Sequence, residues 1–535
     1  MNKTLLALSV AIGTALCGLA TAAEIVPVYA DAAGTGYFDA TAAAPQPGNP
    51  GTTVGQQRRI VAEFAGDLWG AILRSDQPIG IGARFTPLAP NVLGSAGATQ
   101  VFGNFPNAGV QNTWYSAALA EALSGEDLTA GDIEIDSNFS TNFAFYYGLD
   151  GTTPAGQISL LDVVMHEFGH GLGFQNFENE AAGTFLAGFQ DIYSVYTYDN
   201  TQGLFWTQMT DAQRQASALN YGNVVFTGAN AVSSSALVLG PRTGFRVLSP
   251  AGIAGEYNYG TASFGAPVTL TNFNGTVVVG LDPAIPGTSP TTTDGCSPFT
   301  NAAQVAGNIA IVDRGTCGFA VKAANAQAAG AVGLIVANNA PANPPPGMGG
   351  SDPTVTIPAI SVTQADGALI KANTPATVGF VVDPTHLQGA DNAGRPRLYM
   401  PQPVAPGSSG SHYDTAMSPN ALMEPAINDS LNAALQIDMS AALLKDTGWH
   451  INEGNAFING CDTEVKVITP TGFIVGANII ATSNLTAKTS ATKTQYMARM
   501  EAYRDDLVAR GLISGRQGGK VLSCAGKAKG TFPKL

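Results

Sequence analysis

The feature that most constrains how this chain can fold is a pair of histidines, His166 and His170, four positions apart in an apolar run. Ser159 stands at the head of that run, three positions before an acidic residue, which is the pattern of a helix N-terminal capping box. Gly171 and Gly173 follow where such a helix should end. The segment therefore predicts one helix whose two imidazoles lie on the same face, one turn apart.

Glu167 lies between these histidines and gives the predicted helix a chemical role. Two imidazoles on one helical face can bind one ion, and zinc takes nitrogen donors of this kind. A carboxylate beside the ion can take the proton from a zinc-bound water, whose pKa the ion lowers to about 7. We therefore expect His166 and His170 to be zinc ligands and Glu167 to be the general base of a hydrolase. The alternative is a chance match in a core helix, expected in on the order of one such sequence in a thousand because the chain has His 5 in total.

A catalytic zinc takes three protein ligands, so one more is required. The stretch His166-Glu167-x-x-His170-x-x-Gly173 resembles the metzincin signature, whose third histidine follows three residues after the glycine. That position here is Asn176. The chain more closely resembles the leishmanolysin-like branch of the metzincins, in which an insertion separates the glycine turn from the third histidine.

The third ligand implied by this resemblance is His412. It precedes Met423, and a histidine shortly before a methionine in a tight turn resembles the third ligand and Met-turn of that branch, where the methionine forms a hydrophobic floor beneath the metal. The resemblance continues to residues 446–449. Asp191 is the competing ligand, because other zinc peptidases take a carboxylate downstream of the helix motif. Tyr413 has two interpretations, a hydrogen-bond donor to an oxyanion or a packing residue.

The predicted fold class is α+β: a metzincin-like catalytic domain, with a twisted mixed sheet plus helices, interrupted by a β-rich domain. This β-rich domain is expected to begin where the sequence changes to short predicted strands separated by glycine and proline, with almost no charged residues. Within it, residues 307–317 and 357–362 resemble the protease-associated (PA) domain. The predicted boundaries are a signal peptide at 1–23, the first catalytic part with the zinc helix at 24–230, the PA insert at 231–388, the second catalytic part with the third ligand and Met-turn at 389–450, and a C-terminal extension at 451–535.

Shorter patterns predict individual elements. Residues 308–312, 319–329 and 332–337 read as a strand, a helix and a second strand, which together make a β-α-β unit. Residues 132–136 alternate as a half-buried strand does, and resemble the edge strand along which metzincins align an extended substrate. In the extension, residues 493–510 predict one amphipathic helix.

The cysteines and the first residues predict an exported protein. Residues 1–23 combine a basic start, an apolar run and small residues before the expected cleavage site. An even number of cysteines after that segment favours disulfides over free thiols. Each pair falls within one compositional region, so the expected disulfides are Cys296 with Cys317 and Cys461 with Cys524.

Charge and hydropathy limit the partners. The formal net charge is -14 although only 12% of the residues are charged, so the surface is acidic and argues against nucleic acid as a partner. No apolar run reaches the roughly 20 residues that span a bilayer, which argues against stable membrane insertion. We expect a secreted zinc-dependent endopeptidase, extracellular or periplasmic, acting on protein or peptide substrates; endopeptidase action is implied by the resemblance. The alternative is a non-catalytic zinc-containing binding or adhesion protein that uses the insert.

Overall fold

The computed structural model describes residues 22–427 and 430–533. The predicted signal peptide at residues 1–23 lies almost entirely outside them. The described chain mixes helices with parallel and antiparallel sheets, which agrees with the predicted α+β class. One large hydrophobic core unites residues from before the predicted insert, after it and in the C-terminal extension, and two smaller cores belong to the insert.

Helices occur in every predicted region of the described chain. They are α1 Val54–Ile72, α2 Ala117–Ser124, α3 Leu160–Gly171, α4 Asp211–Ser217, α5 Ala229–Val238, α6 Ala302–Val305, α7 Phe319–Ala328, α8 Gln364–Ala372, α9 Ser440–Thr447, α10 Val475–Thr489, α11 Lys493–Ala509 and α12 Gly515–Gly526.

Most strands are short, and the longest lie in the insert. They are β1 Ile25–Tyr29, β2 Leu73–Arg74, β3 Ile79–Thr86, β4 Gly94–Ala98, β5 Val101–Phe102, β6 Thr113–Ser116, β7 Ile135–Ser140, β8 Phe145–Tyr146, β9 Ile158–Ser159, β10 Gln190–Asp191, β11 Thr197–Asp199, β12 Leu204–Phe205, β13 Val224–Phe226, β14 Pro241–Ser249, β15 Gly255–Tyr257, β16 Tyr259–Thr261, β17 Gly275–Val279, β18 Ile309–Asp313, β19 Gly333–Ala337, β20 Ala359–Val362, β21 Ala376–Leu387, β22 His450–Ile451, β23 Asn455–Ile458 and β24 Cys461–Lys466.

A four-stranded sheet in the order β1-β3-β7-β4 supports helix α3. The strands β1, β3 and β7 are parallel, and β4 is antiparallel at the edge. The prediction that residues 132–136 form the edge strand is therefore wrong, because the strand begins at Ile135 and lies between β3 and β4. The edge strand β4 consists of glycine, serine and alanine, so it lacks the large alternating side chains by which a strand is recognised in a sequence.

The insert is built around an eight-stranded sheet in the order β15-β14-β21-β17-β18-β19-β20-β16. Its strands β17, β18, β19 and β20 run parallel, and α7 connects β18 to β19 as the predicted β-α-β unit requires. The chain enters along β14 and leaves along β21, and these two strands pair antiparallel, with Pro241 opposite Leu387. The insert therefore begins and ends at neighbouring points.

The C-terminal extension contains more structure than predicted. The prediction of a single helix there is wrong, because α10 and α12 accompany α11 and a hairpin of β23 and β24 precedes them. Helix α10 is buried on most of its faces, so it has no polar stripe from which a helical period could be recognised. It is joined to the main core by a hydrogen bond of 2.8 Å from Asn478 Nδ2 to Ala434 O.

Both predicted disulfides are confirmed. Cys296 is bonded to Cys317 within the insert, and Cys461 on β24 is bonded to Cys524 on α12. None of the helices in the described part of the chain has the length and apolar character needed to cross a membrane.

Candidate metal centre

Three buried histidines converge at one point, although two lie on α3 and the third follows the insert. The Nε2 atoms of His166 and His170 are 3.0 Å apart. The Nε2 atom of His412 lies 3.1 Å from that of His170 and 3.3 Å from that of His166. Among the described residues, this is the one group of three or more His, Cys, Asp or Glu side chains with the spacing of a metal site.

Each imidazole is oriented by a backbone carbonyl. His166 Nδ1 lies 2.7 Å from Leu422 O, His170 Nδ1 lies 2.8 Å from Phe174 O, and His412 Nδ1 lies 2.9 Å from the carbonyl of residue 408. A carbonyl can only accept, so each Nδ1 carries a proton and each Nε2 presents a lone pair.

Burial keeps these rings neutral at pH 7, the form in which histidine binds metals. It lowers the pKa of His166 to about 4 and that of His412 to about 3. It also lowers the pKa of His170 well below its usual range, with the neighbouring rings adding to the effect. The three side chains are therefore ready to act as ligands without losing a proton.

The arrangement fits a zinc ion. Three lone pairs facing one another at 3.0–3.3 Å repel, and none of them can donate to another. A cation between them removes this conflict. Three nitrogens bound to one tetrahedral zinc at about 2.0–2.1 Å would be about 3.3 Å apart.

Local sequence explains why α3 presents its histidines in this way. Ser159 Oγ accepts a hydrogen bond of 3.2 Å from the backbone N–H of Asp162, so the predicted cap is present. Gly173 has a φ of +114° and turns the chain beyond the helix. Gly171 serves a different purpose, because a Cβ there would come within 2.2 Å of the side chain of Ile135. It allows α3 to approach the sheet closely.

Met423 lies under the helix as expected of a hydrophobic floor. It is fully buried, and a Cβ added at Gly169 would lie 2.9 Å from its Sδ atom. The carbonyl of Met423 accepts a hydrogen bond of 2.8 Å from the backbone N–H of Tyr413, the residue after His412. A backbone hydrogen bond thus connects the methionine turn to the residue that follows His412.

Asn176, at the position where the metzincin signature has its histidine, contacts the segment of His412. Its backbone N–H donates to Ser411 Oγ at 3.3 Å, and that hydroxyl donates to Asn176 Oδ1 at 3.2 Å. The competing ligand Asp191 is outside the histidine group, and its carboxylate accepts bonds from two backbone N–H groups instead. His386 Nδ1 lies 2.7 Å from Asp383 Oδ2, and this ring is outside the group of three histidines.

Glu167 is buried between α3 and the edge strand β4. A Cβ on Gly94 would meet its carboxyl group at 2.7–2.9 Å, and the backbone N–H of Ala96 donates to it. Burial raises the pKa of Glu167 to about 8. Small residues in β4 therefore let the chain place a carboxylate between the strand and the histidines.

Tyr413 does not line the cavity at the histidines. It is fully buried, its ring packs edge-on against Phe174 with centroids 4.9 Å apart, and its hydroxyl has no hydrogen-bond partner among the residues that the structure describes. Of the two interpretations of this tyrosine, the geometry favours packing.

A cavity of about 780 Å³ exposes the histidines and Glu167. Sequence reasoning missed several of its lining residues, namely those of strand β4 and Glu178, Glu180 and Glu424. Among the described residues that line it, none is a lysine or an arginine. The three glutamates follow the helix or the methionine turn in irregular segments, where no periodic pattern marks them.

The sequence matches the PA domain family over residues 273–370, so the chain contains a PA domain within the predicted insert. It is 31% identical over 166 residues to an aminopeptidase of Pseudomonas aeruginosa, a match that covers 30% of each chain. It is 40% identical over 84 residues to ER degradation-enhancing alpha-mannosidase-like protein 3 of Xenopus laevis, covering 14% of this chain and 9% of that protein. The chain thus spans less than a third of these relatives. Among solved structures, the zinc aminopeptidase BSAP of Bacillus subtilis matches with a TM-score of 0.19 and 24% identity, over 29% of this chain and 36% of that chain.

Proposed function

We propose that this chain is a zinc-dependent peptidase, with His166, His170 and His412 as the metal ligands and Glu167 as the general base. The observation that carries the proposal is the convergence of three Nε2 lone pairs within 3.3 Å beside a buried carboxylate in one cavity. The PA domain and the similarity to an aminopeptidase support peptidase chemistry.

We also propose the finer assignment to the leishmanolysin-like metzincins. The placement of Met423 beneath α3 supports it, as do the hydrogen bonds between Asn176 and Ser411 at the position where the signature departs. The domain boundaries given above belong to the same proposal. Two disulfides and the signal pattern of residues 1–23 support export.

A bound zinc supplies Lewis-acid chemistry, polarising a carbonyl oxygen and making water a stronger acid. The contribution of the chain is to position the groups around it. Glu167 is placed to take a proton from the attacking water and to return it to the leaving amine. The free edge of β4, beside this carboxylate, presents backbone groups that can pair with an extended peptide, because within the described residues β4 pairs with β7 alone.

An edge strand open along the cavity favours endopeptidase action, since a bound peptide can extend in both directions. The test uses purified protein, with zinc measured by elemental analysis and hydrolysis of casein and of a peptide blocked at both ends. We expect one zinc per chain and internal cleavage of the blocked peptide, both lost after dialysis against a chelator and restored by zinc. A chain that holds zinc and hydrolyses nothing would favour the binding or adhesion alternative.

The similarity to an aminopeptidase makes exopeptidase action the second candidate. Glu180 and Glu424, which line the cavity, are candidates to accept a free terminal ammonium group. The same peptide with a free N-terminus distinguishes the two functions. Release of single residues from the free peptide, with no cleavage of its blocked form, would favour the aminopeptidase and contradict endopeptidase action.

A further inference from the structure

The third histidine is held differently from the other two. His166 and His170 lie on α3, whereas His412 lies in neither a helix nor a strand. Its ring is oriented by the carbonyl of Ser408 at 2.9 Å, within a turn of residues 405–409 that we name the ligand turn. Three residues of the ligand turn also line the cavity: Pro406, Gly407 and Ser408. The position of the third zinc ligand therefore depends on this turn.

Hydrogen bonds hold the ligand turn together more than burial does. The backbone N–H groups of Ser408 and Ser409 both donate to the carbonyl of Ala405 at 2.9 Å, and Ser409 Oγ accepts a bond of 3.0 Å from the N–H of Ala405. Val404 packs against the main core. Most of the chain from 402 to 407 is nevertheless exposed, namely Gln402, Pro403, Pro406 and Gly407. A segment with so little buried surface opens easily unless other bonds restrain it.

The PA-containing insert supplies such bonds just before the ligand turn. Residues 338–358 connect β19 to β20, and we name them the insert loop. In this loop the N–H of Asn343 donates to the carbonyl of Gln402 at 3.0 Å, and the N–H of Gln402 donates to the carbonyl of Asn343 at 2.6 Å. Asn258, also in the insert, donates from Nδ2 to Asn343 Oδ1 at 2.9 Å. The insert is thus bonded to the catalytic chain away from its own ends at Pro241 and Leu387.

We infer that the insert is a positioning element of the zinc site, because the insert loop, through Asn343 and Gln402, holds the ligand turn and with it His412. This role rests on the zinc site proposed above and goes beyond it, since a passive spacer would have no influence on metal binding. The helix brings His166 and His170 together without help, so the insert acts on the third ligand alone.

The coupling must act in both directions. If the pair of Asn343 with Gln402 favours the position in which His412 binds zinc, then bound zinc favours that pair by the same factor. A metal bound outside the insert should therefore protect two amides at the edge of the insert. Backbone hydrogen exchange measures this protection directly and needs no substrate.

The first test compares the full parent chain without metal and with one equivalent of zinc, using hydrogen exchange read by mass spectrometry. We expect zinc to slow exchange by about 3–10-fold in the peptides that carry the N–H groups of Asn343 and Gln402, the range that one hydrogen bond supports. The internal control is the N–H of Ser263, which donates to the carbonyl of Met348 within the insert at 3.0 Å and should exchange equally in both states.

Each outcome of this comparison decides something. A chain that binds no zinc would overturn the proposed function and this role with it. A chain that binds zinc with unchanged exchange at Asn343 and Gln402 would overturn the role of the insert alone. Equal slowing at Ser263 would show general stabilisation of the chain, and it would overturn the role as well.

Variants test the same coupling from the side of the insert. Asn343→Pro removes the N–H that donates to Gln402, whereas Ala342→Pro adds a proline next to it, where the N–H has no hydrogen bond among the described residues. Zinc affinity is measured by competition with a chromogenic chelator. We expect zinc to bind about 3–10-fold more weakly to Asn343→Pro and equally well to Ala342→Pro. With cobalt(II) in place of zinc, the visible absorption spectrum should change in Asn343→Pro only, since it reports the geometry of the ligands.

A milder variant covers the case in which Asn343→Pro does not fold. Asn258→Ala keeps every backbone group and removes the side chain that donates to Asn343. It should weaken zinc binding in the same direction by a smaller factor. Zinc affinity equal to that of the parent chain in Asn258→Ala and in a folded Asn343→Pro would overturn the inference.

Discussion

His170 and His412 are 242 positions apart in sequence, yet their Nε2 atoms are 3.1 Å apart. The folded PA-containing insert lies between them in the chain. The metal centre can thus be completed only when the chain after the insert returns to α3 and pairs its methionine turn with the helix. Metal binding at the proposed site would therefore require the chain segments before and after the insert to be packed together.

The first prediction concerns the third ligand. His412→Ala removes one of three nitrogens, so zinc affinity should fall by more than the ~100-fold typical of losing a supporting residue near a metal. Asp191→Ala should retain zinc under the same dialysis, measured by elemental analysis. His386→Ala, at a half-buried ring that contacts Asp383, is the matched histidine control. Zinc lost from the Asp191 variant and kept by the His412 variant would contradict the assignment.

The second prediction separates binding from catalysis at Glu167. Glu167→Gln keeps the size of the side chain and removes its basicity, so kcat should fall by about 10²–10⁴-fold, the usual contribution of a general base. Zinc content should stay at one per chain, because Glu167 is outside the histidine group. Glu180→Gln, in the same cavity, is the control and should retain most of the activity on the peptide blocked at both ends, which has no free ammonium group. Unchanged kcat in Glu167→Gln would contradict the proposed role.

The third prediction concerns the disulfide between Cys461 and Cys524. It closes a loop with a sequence separation of 63, whereas the disulfide in the insert closes one of 21. Each disulfide is removed by replacing its two cysteines with serine. From the loop-closure entropy, the free energy of unfolding should fall by about 4 kcal/mol for Cys461 and Cys524 and by about 3 kcal/mol for the pair in the insert. Urea denaturation measures both. The C-terminal pair should affect the main hydrophobic core, to which β24 and α12 contribute buried residues.

The fourth prediction concerns pH and the packing of α10 on α1. Burial raises the pKa of Asp67 from its ordinary 3.8 to about 6, while Lys488 and Asn484 on α10 act in the opposite direction. The folded chain therefore binds this proton more tightly than the unfolded chain. The stability that protonated Asp67 contributes is fully present below about pH 4. It is lost as the pH rises through about 6, where the carboxyl group of the folded chain ionises.

Asp67→Asn should remove this loss, so the free energy of unfolding should change less between pH 4.5 and pH 8 than in the parent chain. Chemical denaturation at the two pH values is the measurement. The parent chain, measured under the same conditions at both pH values, provides the reference. A free energy of unfolding that changes more with pH in Asp67→Asn than in the parent chain would contradict this prediction.

The sequence identified those parts of the site that are encoded locally. The histidine spacing, the Ser159 cap and the Gly173 turn all act within one helix and its ends, so short-range rules predict them. The position of His412 required a resemblance, because no local rule brings together residues so far apart. The disulfide partners were predictable because each pair lies in one compositional region.

Elements without a periodic signal were missed for physical reasons. Strand β4 is made of small residues, which allow Glu167 to approach it closely. Because these residues lack large alternating side chains, the sequence does not predict a strand there. Helix α10 is buried on most sides and so has no amphipathic pattern. The pairing of Asn343 with Gln402 depends on how an irregular segment folds back, which neither residue reveals by its position in the sequence.

The pairing of Pro241 with Leu387 has a practical consequence for protein engineering. Because the two connections to the insert are adjacent, a tight turn could replace everything between them without pulling the flanking chain apart. A shortened protein of this kind would isolate the catalytic scaffold, and the excised module could be exchanged for another domain whose ends are equally close.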